Sequence, residues 1–235
     1  MSRPSLHLLP ERTGGAAENM AIDFLLLRRY PSPAELRLRH YTWRQPAFTF
    51  GYAQKIAFVR ASLPADETLD ITRRPTGGGL VDHRDDWTYA LVIPRGHPLF
   101  DRPGPTIYRH IHTALADALT EHGACVRLQD RPPETPPGIC FQRPERDDIV
   151  HAETRRKVAG AALKRTKHGV LLQGSIWRPA TPETTNWETL TETFAKHLGT
   201  CLEAEPTPTG WPEFTIEEEE ALIDQFASTE WIEAR

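Results

Sequence analysis

Residues 73–83 read RRPTGGGLVDH, from Arg73 to His83. Gly77, Gly78 and Gly79 carry no Cβ, so the backbone can take positive φ there and approach a ligand closely. Successive N–H groups in such a loop can hold an anionic or carbonyl oxygen, with Arg73 and Arg74 supplying charge beside it. A hairpin turn flanked by two solvated arginines is an equally good local reading. The loop is not a Walker loop, because no Gly-Lys-Ser/Thr follows, nor a dinucleotide fingerprint, whose glycines are interrupted. Asp70 to Arg74 reads as a strand entering the loop and Thr88 to Ile93 as a strand leaving it.

Further out, Asn19 to Tyr30 places Met20, Ala21, Phe24, Leu25 and Leu27 at helical spacing, stopped by Pro31 and Pro33. Leu36, Leu38 and His40 alternate with Arg37, Arg39 and Tyr41, as in a half-buried strand. Ala47 to Gly51 is a short β-prone run. Ile107, Ile111, Leu115 and Leu119 recur every fourth residue and predict an amphipathic helix over 107–122. Arg131 to Gly138 contains four prolines, which fix φ and remove donors, and predicts an exposed loop delivering Cys140. Strands or short connectors are expected at 149–150, 157–163 and 169–177, and helices near 187–198 and 216–226. Strands and helices come without a regular βαβ rhythm, which favours α+β.

The chain has 235 residues, 39% hydrophobic and 26% charged, with a net charge of −4. This is ample for a packed core. The mixed, mildly acidic charge gives no global field for nucleic acid or an anionic membrane. No apolar run approaches a bilayer span and Met1 to Pro10 lacks a signal-peptide pattern, so a cytoplasmic location is expected. Cys125, Cys140 and Cys201 show no metal-type spacing. Cys125 is expected in a buried strand and Cys201 between helices, both structural.

RRPTGGGLVDH resembles the arginine–glycine–histidine block of lipoate–protein ligases and octanoyltransferases. RRKVAGAALKRTKHGVLLQGSI, Arg155 to Ile176, resembles the same family's lysine segment. NMAIDFLLL from Asn19 and WRQPAFTFGYAQ from Trp43 are weaker echoes in the same order. The resemblance implies an α+β fold with a mainly antiparallel sheet flanked by helices, as in biotin/lipoate ligase catalytic domains. It implies one catalytic domain over 1–235, with a core over 1–180 and C-terminal helices over 181–235. The two strong blocks are expected on the rims of one apolar tunnel.

By the same resemblance Lys157 contacts the acyl carbonyl, where a cation stabilises charge developing on oxygen. As a rim lysine it is expected to add little to stability. Arg73, Arg74, Gly77, Gly78, Gly79 and His83 are expected to bind substrate. Gly160, Ala161, Ala162 and Gln173 are expected to do the same from the lysine segment, the three small residues forming a wall for a straight acyl chain. The chain departs from the family where Gly-Asn is absent after His83, where Ala161 replaces a serine, and where Gln173 replaces a histidine.

Ile139 to Pro144, followed by Asp148-Ile149-Val150, resembles the cysteine loop of one octanoyltransferase class. There Cys140 would take the acyl chain from acyl carrier protein as a thioester, its thiolate favoured by a nearby cation such as Lys157. A small buried apolar residue is the alternative reading of Cys140. The implied activity is octanoyl or lipoyl transfer to a lysine of a lipoyl-domain acceptor, without cofactor. The alternatives are a lipoate–protein ligase using ATP and Mg, or an inactive acyl-binding homologue. No metal site, nucleic-acid partner or membrane association is expected.

Overall fold

The computed structural model describes residues 4–29, 35–64, 68–131 and 143–234. Two short strands, β1 (Ser5–Leu8) and β2 (Arg12–Gly14), lead into helix α1 (Ala16–Arg28). Strands β3 (Leu36–Trp43) and β4 (Ala47–Phe50) precede α2 (Ile56–Ser62) and β5 (Asp70–Arg73). The glycine loop then connects β5 to β6 (Val81–Asp82), and β7 (Asp86–Pro94) follows. Next come α3 (Gly104–Glu121), β8 (Val126–Leu128) and β9 (Ile149–His151). A hairpin, β10 (Lys157–Arg165) and β11 (Gly169–Trp177), leads to α4 (Trp187–Leu202), β12 (Glu205–Pro208), α5 (Ile216–Ala227) and α6 (Thr229–Glu233).

The large sheet runs β12-β1-β3-β7-β11-β10-β9-β8, with β2 beside β3. Every pairing from β3 to β8 is antiparallel, whereas β1 pairs β3 and β12 in parallel and β2 also lies parallel to β3. The result is the expected α+β class: a mixed, mainly antiparallel sheet flanked by helices. A second sheet, β5-β4-β6, faces part of it and carries the glycine loop.

Strand periodicity sorts the β7 side chains between two cores. Trp87, Tyr89, Leu91 and Ile93 face α3 and α4, where Ile107, Ile111, Leu115 and Leu119 are fully buried. Each such side chain contributes about 1.5–3 kcal/mol by leaving water. Ala90 and Val92 face the opposite side, covered by α1 and α5. Because β3 is central and covered on both faces, Arg39 is not solvated as its alternation suggested. It is buried and paired with Asp23 of α1 at 2.7 Å.

Two cysteine expectations are corrected. Cys125 is exposed just before β8, and Cys201 lies half-buried inside the last turn of α4. Among the described residues no helix is long and apolar enough to cross a membrane.

Candidate active site

The two arginines of the glycine block go separate ways, as successive residues leaving a strand must. Arg74 turns into the loop: its Nη2 donates to the carbonyls of Gly77 and Gly79 at 2.9 and 2.8 Å. Its Nη1 donates to the backbone and hydroxyl oxygens of Thr49, both at 2.8 Å. Gly78 sits at φ +87°, a conformation side chains rarely adopt, and a Cβ on Gly51 would fall onto its carbonyl. No hydrogen bond from the N–H groups of Gly77, Gly78 or Gly79 is made within the described residues.

Arg73 turns away. It is wholly buried and donates to the carbonyls of Tyr52, Gln54, Trp231 and Ile232, while the Trp231 indole donates back to its carbonyl at 2.8 Å. It lines neither cavity described below, so its place is a clamp between the loop and α6 rather than a contact for substrate.

Lys157 opens β10 with its side chain only 4% exposed, its Nζ 2.7 Å from Asp148 Oδ2. The same carboxylate accepts the Tyr108 hydroxyl and, at 2.7 Å, the Glu145 N–H. The Tyr108 oxygen accepts the Ala161 N–H at 2.9 Å, so α3, β9 and β10 meet on one ion pair. Burial, with Asp148 alongside, pushes the Tyr108 phenol well above its ordinary pKa and keeps it a donor. A Cβ on Gly160 would lie 2.6 Å from Lys157 Cε and Nζ. The missing side chain at 160 is what lets the lysine lie along the strand. Lys157 is buried in an ion pair, which corrects the expectation of a stability-neutral position.

Two spaces meet at this lysine. A narrow cavity of about 40 Å³ runs between the sheets, floored by one register row: Gly160, Ser175, Thr88 and Tyr41 on β10, β11, β7 and β3. Arg74, Gly78 and His83 roof it, and Ala161, Ala162 and Gln173 complete the walls. An open cleft of about 850 Å³ lies outside, bordered by Gly79, Tyr108, Arg143 and Asp148. Lys157, Gly78 and Ala161 line both spaces. Gly77 lines neither.

Gln173 donates to Asp23 at 2.7 Å and accepts the Thr76 hydroxyl at 2.7 Å, tying the loop to the buried Asp23–Arg39 pair. His83 contacts the Thr49 hydroxyl and Asp86 Oδ2, each at 2.6 Å, and stacks on Trp43. Cys140 lies outside the described residues. Sequence reasoning did not single out Tyr108, Thr49 or Asp86, and it quoted Asp148 without a role. One signal for Asp148 was available: the second carboxylate of Asp147-Asp148 stands directly ahead of the apolar Ile149-Val150 pair.

Residues 15–184 match the family model of the lipoyl protein ligase A/B catalytic domain. The octanoyltransferase LipM of Bacillus cereus is 32% identical over 171 residues, covering 68% of this chain and 60% of that protein. LipM of Moorella thermoacetica is 34% identical over 165 residues, covering 67% and 59%. The chain thus spans about 60% of the length of these curated relatives. In structure, lipoate-protein ligase A bound with ATP matches with a TM-score of 0.73 at 18% identity over 98% of both chains. A bipartite lipoate protein ligase from Thermoplasma acidophilum matches at 0.69 and 17% identity, covering 99% of this chain and 97% of that one. At such identities the likeness is one of fold. With the family match covering most of the chain, the protein belongs to the lipoyl protein ligase A/B catalytic domain family.

Proposed function

We propose that the protein transfers an octanoyl or lipoyl group to a lysine of a lipoyl-domain acceptor, through a thioester on Cys140 and without a nucleotide. The observation that carries this reading is the position of Lys157, a buried cation where the narrow cavity opens into the cleft. An acyl chain lying along the cavity puts its carbonyl at that junction. The cavity floor crosses four strands, about 14 Å at a spacing of about 4.8 Å, long enough for an extended octanoyl chain. Its walls must part to admit one, since about 40 Å³ holds only a few waters. The LipM relatives are named octanoyltransferases, which favours this route over an adenylate.

The chemistry then has two balanced steps. The Cys140 thiol first releases its proton to solvent and its thiolate attacks the donor's thioester carbon; the new S–C bond forms, the donor S–C bond breaks, and the donor leaves as a thiolate that takes up a proton from solvent. The acceptor lysine amine next attacks the acyl-Cys140 carbon; C–N forms, C–S breaks, and the amine proton returns to Cys140. In both steps negative charge develops on the acyl oxygen, where the Lys157 ammonium and the glycine-loop N–H groups can stabilise it. Cys140 precedes Arg143, a cleft residue, by three positions, and three residues span at most about 11 Å.

The proposed partners are a lipoyl domain as acceptor and acyl carrier protein as donor. Incubation with octanoyl-acyl carrier protein and a lipoyl domain, followed by intact mass, is expected to show octanoylation of the acceptor without ATP. Modification that appears only with lipoate, ATP and magnesium would assign the chain to the ligase route instead. No modification under either condition would leave an acyl-binding protein.

A further inference from the structure

Behind the glycine loop stands a chain of polar side chains that the two transfer steps leave unused. Asp86 Oδ2 receives the Thr88 hydroxyl at 2.9 Å and the Ser175 hydroxyl, and it faces His83 Nδ1 at 2.6 Å. A carboxylate oxygen can only accept, so His83 donates its Nδ1–H to Asp86. The Thr49 hydroxyl stands 2.6 Å from Nε2 and turns a lone pair to Arg74. Arg74 Nη1 donates to that hydroxyl, and Nη2 holds the carbonyls of Gly77 and Gly79. The links are contiguous, from a carboxylate on β7 to the backbone of the loop.

Asp86, His83 and Thr49 are buried, and polar groups in such a place cost desolvation that an apolar set would avoid. What the polar set adds is orientation. With the loop carbonyls held by Arg74, the N–H groups of Gly77, Gly78 and Gly79 have no hydrogen-bond acceptor among the described residues. We propose that Asp86, His83 and Thr49 are positioning residues: through Arg74 they fix the peptide planes of the glycine loop that stabilise the acyl oxygen beside Lys157. The inference rests on the acyl-transfer reading above and extends it to residues that touch no reacting atom.

Thr49→Val keeps the shape of the side chain and removes the hydroxyl; Thr49→Ser keeps the hydroxyl. With octanoyl-acyl carrier protein and a lipoyl domain, Thr49→Val is expected to lower kcat about tenfold or more, with the donor KM within about twofold. Thr49→Ser should recover most of that loss. Independently of turnover, ¹⁵N relaxation should show the Gly77–Gly79 order parameters falling from about 0.85 to below about 0.6 in Thr49→Val, but not in Thr49→Ser. If Thr49→Val does not fold, His83→Asn replaces it, keeping a donor for Asp86 and removing the ring nitrogen that Thr49 contacts. An unchanged loop, a KM effect without a kcat effect, or Thr49→Ser failing as badly as Thr49→Val would overturn the proposal. A parent enzyme with no transfer activity would instead overturn the reading beneath it, because the relaxation measurement does not need turnover.

Discussion

Gly160 illustrates how little chain is needed to set a site. A Cβ there would press on Lys157 Cε and Nζ and lie 3.0 Å from Asp148 Oδ1. Those atoms are the far ends of side chains, so Gly160→Ala should fold and yet push the ammonium off its place. Transfer should fall about tenfold or more while the fold loses less stability than in Lys157→Ala, because misplacing a charge by an ångström is costly to rate and the buried pair is shifted rather than removed. Parental turnover in this variant would remove Lys157 from the mechanism. Lys157→Ala should abolish transfer and also destabilise the fold. It strands a buried carboxylate, a change that typically costs about 3–5 kcal/mol. Urea unfolding measures it, and an unchanged midpoint would contradict the buried pair. The glycine and lysine were legible in the sequence because they lie in one short block. Their partners were not: Tyr108 and Asp148 are forty residues apart and meet only once β9 has paired with β10.

Among the elements, β5 and α6 show why Arg73 misled the sequence reading. Beside Arg74 it resembles a second substrate cation, but its guanidinium is spent on four backbone carbonyls, two of them in α6. Arg73→Lys loses the fork that reaches them and should cost about 3 kcal/mol or more, read by thermal melting and by faster proteolysis of the C-terminal segment. Helix α3 carries a different sensitivity. Burial holds the His112 imidazole below its ordinary pKa, so on acidification the unfolded chain takes up that proton first. Stability is therefore full above about pH 6.5 and falls as pH drops below it, by up to about 1.4 kcal/mol per unit from this group. His112→Gln should flatten that part of the slope in urea titrations between about pH 7.5 and 5; an identical slope would contradict it. The helices themselves were readable from their periodicity. Strands β1, β2 and β12 were not, since three or four residues carry too short a pattern and are held by distant partners.

At the scale of the molecule, the site exists because two sheets face each other. The β10–β11 hairpin brings Lys157 and Gly160 to one wall, and the small sheet brings Arg74 and Gly78 to the other. The order of the blocks along the chain announced the family, but the cavity between them depends on register, which no local stretch encodes. The proposed reaction turns on a covalent acyl-Cys140 intermediate passed on beside Lys157. The most direct measurement is mass spectrometry of the protein after brief exposure to octanoyl-acyl carrier protein, with no acceptor and no ATP. One octanoyl group, sensitive to hydroxylamine, is expected on the peptide that contains Cys140, absent in Cys140→Ser and released to a lipoyl domain when one is added. An unmodified Cys140 peptide, in an enzyme that still acylates the lipoyl domain, would contradict it.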